Sequence, residues 1–349
     1  MSVFEHQDFD GHEHVSFFCE AASGLRAIVA IHSTRSFGVS GGGCRMWPYA
    51  SDDEALRDAL RLSKAMSYKL ALADMPIGGA KTVVMGDPAK DKSEALWRAL
   101  GRAVHRLGGR YIIAEDVGTT PADMCMIGLE TPYVAGKQAD TSTATAYGVF
   151  VGLRTAVARR LDRHDLRGLR VAVQGAGNVG GGLCRHLAAA GARVWVADRD
   201  GERARRLAAE LEGAETVDAA DIHRCDVDVF APCALGSVLD DRTIRELRCS
   251  VVAGGANNPL ADDERGGAQL ARRGILYAPD FVINAGGVIG AAQEGVDIDG
   301  DRHAVDQREA FARTERIAAT LIDVFDRAER EGITTHEAAV RMAKEKISG

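Results

Sequence analysis

From about residue 171 onward the sequence alternates short β-rich runs with amphipathic helical runs, and this alternation restricts the fold more than any other feature. RVAVQ reads as a strand, NVGGGLCRHLAAAG as a helix, RVWVAD as a strand and GERARRLAAELE as a helix. DVDVFAPCA, DDRTIRELR, SVVAGGA, LADDERGGAQLARRG and ILYAPDFVI continue the series as strand, helix, strand, helix, strand. Repeated β-α units of this length imply a parallel sheet with helices on both faces.

The first of these units carries QGAGNVG at residues 174 to 180. Gly175, Gly177 and Gly180 form GxGxxG between a strand and a helix, and Asp198 ends the next strand about twenty residues later. The first glycine permits a tight turn, the second lets backbone approach a pyrophosphate, and the third allows close helix packing. Asn178 and Val179 open the helix, whose unpaired N–H groups and positive dipole end suit an anion. A glycine turn without ligand is the alternative for such a motif alone; strand, helix, acid and three further β-α units favour a Rossmann-type dinucleotide site. Asp198 suits a ribose 2′-hydroxyl and would repel a 2′-phosphate, which favours NAD over NADP. Arg199 beside it works in the other direction, or is a surface arginine with no ligand.

The first half is less regular. HEHVSFFCE and LRAIVAIH read as strands, and a long helix opens at SDDE, with Ser51 as N-cap and Glu54 as the reciprocal capping-box acid. Leu56, Leu60, Ser63, Met66 and Leu70 form its apolar stripe. The stretch from about 308 to 347 is helical again, with a break at GITTHE. At 349 residues the chain suffices for two domains. We expect an α/β protein with an N-terminal α/β substrate and oligomerisation domain (1–145, rejoined by helices at about 325–349) and a doubly wound dinucleotide-binding domain (146–324), separated by a cleft.

No apolar run is long enough to span a membrane, and the polar, acidic N-terminus is unlike a signal or transit peptide, so the expected compartment is the cytoplasm. The seven cysteines contain no CxxC pair and suit reduced thiols rather than disulfides or a metal site. A net charge of -7 offers no basic field for nucleic acid.

Four stretches of the first half look out of place as structure alone: SGGGCRM (40–46), SYKLA (67–71), PIGGAK (76–81) and AEDVGTT (114–120). With VAGGANN (252–258) and VINAGGV (282–288) they resemble, in order and over nearly the whole chain, the glutamate/leucine/phenylalanine/valine dehydrogenase family, most closely its leucine and phenylalanine branch. The resemblance implies NAD-dependent oxidative deamination of an L-amino acid to a 2-oxo acid and ammonia, in a homo-oligomer. It further implies that Lys69 pairs with the substrate α-carboxylate, that Lys81 is the catalytic lysine and that Asp116 is the proton-transfer carboxylate. Asn258 resembles the family's asparagine at the cofactor–substrate junction, with Asn257 sharing it; Thr145 resembles a threonine near the nicotinamide; and Asn284 opens a hinge-side NAGG loop.

These roles suit the residue types. A fixed cation holds a carboxylate. Burial among apolar residues with a second cation nearby makes an amine a usable base. Taken singly, Lys69 would read as a snorkelling surface lysine, Asp116 as a loop cap and Asn257 as part of a turn.

Glycines 41 to 43 bear on the substrate. The glutamate branch has a lysine before the glycine pair to hold a side-chain carboxylate, whereas here Gly41 precedes Gly42 and Gly43, and no charge is available. Gly41 also departs from the bulkier apolar residue of the leucine branch, which could enlarge the pocket. Ala114, Val288 and Ala291 match positions that line the side-chain pocket in the resembling enzymes. The expected substrates are Leu, Val and Ile, with Phe or Trp as the competing choice. A hydroxy-acid dehydrogenase would want a His–acid relay, which these motifs lack, and a non-catalytic NAD-binding regulator would have lost Lys69, Lys81 or Asp116.

Overall fold

The computed structural model describes residues 3–35, 38–136, 141–234, 236–291 and 307–348. They divide into two compact units, one of the described residues up to 136 with 343–348, the other of 141–291 with 307–342.

In the first unit β1 (His14–Glu20), β2 (Leu25–Ile31), β3 (Ser40–Trp47), β4 (Gly78–Met85) and β5 (Tyr111–Glu115) form one sheet in the order β1-β2-β4-β3-β5. β1 and β4 flank β2 antiparallel; β3 runs parallel to both β4 and β5. Helix α1 (Asp52–Leu72) joins β3 to β4, and α2 (Glu94–His105) lies between β4 and β5. The α1 start is close to expectation, with Ser51 Oγ accepting from Glu54 N at 3.1 Å. The reciprocal bond differs: the Glu54 carboxylate accepts from Ala50 N, one residue before the cap. Of the expected stripe, Leu60, Ser63 and Leu70 are buried and Leu56 and Met66 half-buried.

Alternation sorts the side chains of β4 onto two faces. Ala80 and Val84 join a core with Cys44, Met46, Trp97, Leu100 and Ile113, whereas Val83 packs with Ile28, Ala55, Ala59 and Leu60 under α1. Gly79 lets the strand meet this helix: a Cβ there would stand 2.0 Å from Ser67 N.

After α3 (Pro121–Ile127), the second unit begins with α4 (Thr141–Leu161). Its strands β6 (Arg170–Gln174), β7 (Arg193–Ala197), β8 (Glu215–Thr216), β9 (Val229–Pro232), β10 (Val251–Val252) and β11 (Leu276–Tyr277) pair in the order β11-β10-β9-β6-β7-β8. Every pairing is parallel. Numbered from β6, this is the doubly wound 3-2-1-4-5-6 order of a Rossmann sheet, with its switch point between β6 and β9. The intervening helices are α5 (Asn178–Ala189), α6 (Gly201–Glu210), α7 (Asp241–Glu246) and α8 (Asp263–Arg272).

ILYAPDFVI departs from the single strand expected. β11 stops at Tyr277 and DFVI forms α9 (Asp280–Ile283), because Pro279 has no N–H for the ladder and its φ of −57° starts a helix. α10 (Gly286–Ala291), α11 (Gln307–Thr314), α12 (Arg316–Glu331) and α13 (Thr335–Ser348) follow. The expected break at GITTHE falls at Gly332, whose φ of +65° caps α12. Among the described residues no helix is long and apolar enough to cross a membrane, and no group of three or more His, Cys, Asp and Glu side chains could hold a metal ion.

Candidate active site

Two-residue periodicity brings the glycine motifs and the charged residues of the first unit onto one sheet face. Gly41, Gly43 and Arg45 alternate along β3, Lys81 shares the α1 side of β4 with Val83, and Ala114 and Asp116 follow the same alternation out of β5. Lys81 Nζ lies 2.8 Å from Asp116 Oδ2, with the side chains 5% and 15% exposed. Gly43 makes room for this pair: a Cβ there would stand 2.7 Å from Asp116 Cβ and 3.1 Å from Lys81 Nζ. Gly42 answers a different need, since its Cβ would fall 1.7 Å from the Ala80 carbonyl oxygen of the neighbouring strand.

Arg45, to which the sequence assigned no role, shares the carboxylate. Its Nε donates to the same Asp116 Oδ2 at 3.1 Å, and its Nη1 donates to Asp58 Oδ2 on α1 at 3.0 Å. Tyr49 donates its hydroxyl to that Asp58 oxygen. Burial pushes the Asp116 carboxyl up, but Lys81 and Arg45 outweigh it and hold the group well below the usual carboxylate range. Burial pushes the Cys44 thiol and the Tyr49 phenol up, with Asp116 acting in the same sense on Cys44 and Asp58 on Tyr49, so both stay neutral.

Lys69 is in the last turn of α1 and is 8% exposed, so it is no snorkelling surface lysine. Ala114 is half-buried. Above Gly41 the space is less open than expected, because a Cβ there would stand 3.0 Å from Ile77 Cδ1.

In the second unit the glycine loop follows β6. Gly175 has φ +108°, a conformation reserved for glycine, and a Cβ on Gly180 would fall 1.9 Å from the Gly175 carbonyl oxygen. Gly177 differs: nothing lies within 4 Å of where its Cβ would be, and as N-cap of α5 it leaves the first N–H groups of Asn178 and Val179 without a side-chain cap. Asp198, just past β7, accepts from Ala176 N at 2.8 Å and from Asp200 N at 2.9 Å. Arg203 comes within 4.0 Å of the same carboxylate, whereas Arg199 is exposed.

At the ends of β10 and α9, Asn284 Nδ2 donates to Asn257 Oδ1 at 2.9 Å and to Gly255 O at 3.3 Å. Asn258 has φ +46° and donates its N–H to the buried Asp280 carboxylate at 2.8 Å, so Asp280 supports a strained turn that sequence reading missed. Thr145 lies in α4 against Gly286, whose missing Cβ would collide with the Ala144 carbonyl at 2.1 Å. Two glycines of the NAGG loop thus begin a helix, and one of them serves close packing. Val288 is half-buried in α10, and the Ala291 side chain lies outside the described residues.

This unit fits a dinucleotide. There is open space above Gly177, an uncapped helix N-terminus behind it, and a buried Asn284 Oδ1 that has no hydrogen-bond partner among the described residues.

A family model described as the Glu/Leu/Phe/Val dehydrogenase dimerisation domain matches residues 12–133, and one described as Glutamate/Leucine/Phenylalanine/Valine dehydrogenase matches 136–204 and 198–349. Leucine dehydrogenase from Thermoactinomyces intermedius is 46% identical over 353 residues, spanning 99% of this chain and 94% of the relative. Phenylalanine dehydrogenase from the same organism is 44% identical over 352 residues, spanning 99% and 94%. The crystal structure of L-tryptophan dehydrogenase from Nostoc punctiforme matches with a TM-score of 0.80 and 41% identity, over 97% of this chain and 96% of that one.

Proposed function

The chain belongs to the glutamate/leucine/phenylalanine/valine dehydrogenase family, and on that premise we propose that it interconverts a hydrophobic L-amino acid with its 2-oxo acid and ammonia, using NAD. The observation that carries this reading is the buried Lys81–Asp116 pair on a sheet face cleared by glycines.

Gly175, Gly177, Asn178, Val179, Gly180 and Asp198 would hold NAD, with Thr145, Asn257 and Asn284 as further residues of its site, and when bound it would supply the acceptor for the hydride lost from the substrate Cα. Lys69 holds the α-carboxylate, Gly42 and Gly43 present backbone, and Asn258 orients the amino acid. Once the substrate carbon is an iminium, Lys81 as free base takes a proton from water while the water oxygen bonds to that carbon. Lys81 returns the proton to the amino nitrogen, Asp116 takes the hydroxyl proton, and ammonia departs as the carbonyl forms.

Gly41, Ala114, Val288 and Ala291, the positions that the resemblance assigns to the substrate side chain, bear no charge for a side-chain carboxylate. Ile77 stands where a side chain on Gly41 would reach, which favours an aliphatic substrate. The missing side chain at 41 itself, and relatives named for phenylalanine and tryptophan, support an aromatic substrate as the second reading. A hydrophobic pocket resolves one methylene by only about 1–3 kcal/mol, so Leu, Val, Ile and Met should all be used. We infer a homo-oligomer, as the family resemblance implies, and keep the cytoplasm as the expected compartment.

The test is oxidation of NADH with 4-methyl-2-oxopentanoate, with and without ammonium. Ammonium-dependent turnover is expected, and turnover without ammonium would point to a hydroxy-acid dehydrogenase. A kcat/KM for Phe or Trp more than about tenfold above that for Leu would reverse the substrate choice.

A further inference from the structure

If Lys81 works as a base, it is neutral for part of the cycle, and Asp116 then loses the charge that compensates it. Among the described residues, Arg45 is then the one cation left on that carboxylate. A guanidinium does not give up its proton, and its planar fork presents separate N–H groups to separate acceptors. Arg45 uses this fork to bridge two carboxylates: Nε to Asp116 Oδ2 at 3.1 Å and Nη1 to Asp58 Oδ2 at 3.0 Å. Asp58 is fixed on α1 and receives the Tyr49 hydroxyl as well. The backbone beneath Asp116 is pinned separately, with Thr119 Oγ1 accepting from Asp116 N at 3.0 Å and meeting the Cys44 carbonyl at 2.9 Å. Within that loop the carboxylate has the backbone N–H of Val117; the charged groups that hold it are Lys81 and Arg45.

We propose that Arg45, braced by Asp58, is a positioning residue that keeps Asp116 ionised and aimed at Lys81 while the lysine gains and loses its proton. This rests on the function proposed above. Two cations and two carboxylates balance at rest. When Lys81 is neutral, Arg45 compensates Asp116; when Asp116 carries a proton, Asp58 compensates Arg45. A lysine at position 45 would supply charge without the second arm.

The groups that act on Asp116 are Lys81 from β4, Arg45 and Cys44 from β3, the Val117 backbone, Tyr111 from β5, Asp58 from α1 through Arg45, and Tyr49 behind Asp58; Asp123 and Lys92 pair with each other and bear on Cys44. Burial keeps Cys44 and Tyr111 neutral. Arg45 and Asp58 are therefore the levers outside the reacting pair.

Arg45→Lys and Asp58→Asn test this by two readouts. The first needs no turnover: carbodiimide coupling of glycinamide to carboxyls of the folded protein across acidic pH, read at Asp116 by peptide mass spectrometry. Arg45→Lys should move Asp116 coupling to higher pH, because a lysine lacks the second arm that holds the charge between Asp58 and Asp116. Asp58→Asn should leave coupling in place or move it lower, because Arg45 is released to Asp116 alone. The second readout is kinetic. Arg45→Lys should lower kcat at least about tenfold with KM for the amino acid within about threefold, and raise the acid limb of the kcat profile. Asp58→Asn should lower kcat less and should not raise that limb. A purely structural Arg45 would give falls in stability and activity with no opposed pH shifts. Unmoved Asp116 coupling in Arg45→Lys overturns the proposal even if the wild type deaminates amino acids. A shift in coupling with no wild-type turnover would leave the hold on Asp116 standing and reject the proposed reaction.

Discussion

Replacing Asp116 by Asn keeps the side-chain shape and removes its charge. Lys81, with a side chain 5% exposed, then loses its one ion-pair partner among the described residues, while Arg45 keeps Asp58 at 3.0 Å. Removing one member of a buried pair costs about 3–5 kcal/mol because the other charge stays buried, and the surviving Arg45–Asp58 contact puts this case near the lower end, about 3 kcal/mol. Lys81→Met removes the opposite member, but there Asp116 still has Arg45 at 3.1 Å, so the expected loss is about 1–2 kcal/mol. The order is what matters: Asp116→Asn should cost more than Lys81→Met. Native-state hydrogen exchange at the amides of β3 and β4 reads this locally, without requiring the two units to unfold together. The folded Asp116 value is depressed, so its contribution is complete above the ordinary carboxylate range and is lost as pH falls through the depressed value; a comparison at pH 7 captures it in full. Equal losses, or a larger one for Lys81→Met, would refute the idea that Arg45 shares the compensation of Asp116.

Two further predictions concern other regions. Burial, aided by the neighbouring His12, pushes His32 down to about 4 from 6.5; its folded value lies below the unfolded one, so stability is complete above about pH 6.5 and falls by about 3 kcal/mol toward pH 4 at 1.36 kcal/mol per unit. His32→Asn should flatten the urea midpoint over that window, and an unchanged acid slope would contradict it. Gly177→Ala has free space and should leave the melting temperature within about 2 °C while raising KM for NAD about tenfold or more, whereas Gly180→Ala, 1.9 Å from a carbonyl, should destabilise the folded unit. Thermal melts with parallel NAD titrations separate the two, and weaker NAD binding in neither would count against the loop as the cofactor site.

What could be read from the sequence is what local patterns encode. The β-α alternation after residue 171 matches five of the six parallel strands in order, the two-residue β8 being too short to leave a pattern, and Ser51 and Gly332 mark helix ends because capping depends on residues a few positions apart. DFVI was misread as strand because its apolar content suits either state; Pro279 decided the matter. The glycines of SGGGCRM concealed β3, which is held by neighbours on both sides rather than by its own propensity. Lys81 and Asp116 were legible as a set only through resemblance. Arg45 and Asp58 were not, because an arginine 71 positions from its aspartate carries no local signal, and a salt bridge is visible only once β3, β5 and α1 are packed. Asp280 was hidden in the same way behind the turn it supports.

In the proposed reaction Lys81 performs the proton chemistry and not the binding of cofactor. Lys81→Ala, assayed with 4-methyl-2-oxopentanoate, ammonium and NADH alongside NADH binding by fluorescence, tests it directly. Nearly unchanged NADH binding and a kcat reduced well beyond tenfold are expected; retention of more than about a tenth of the wild-type kcat would rule out that role for Lys81.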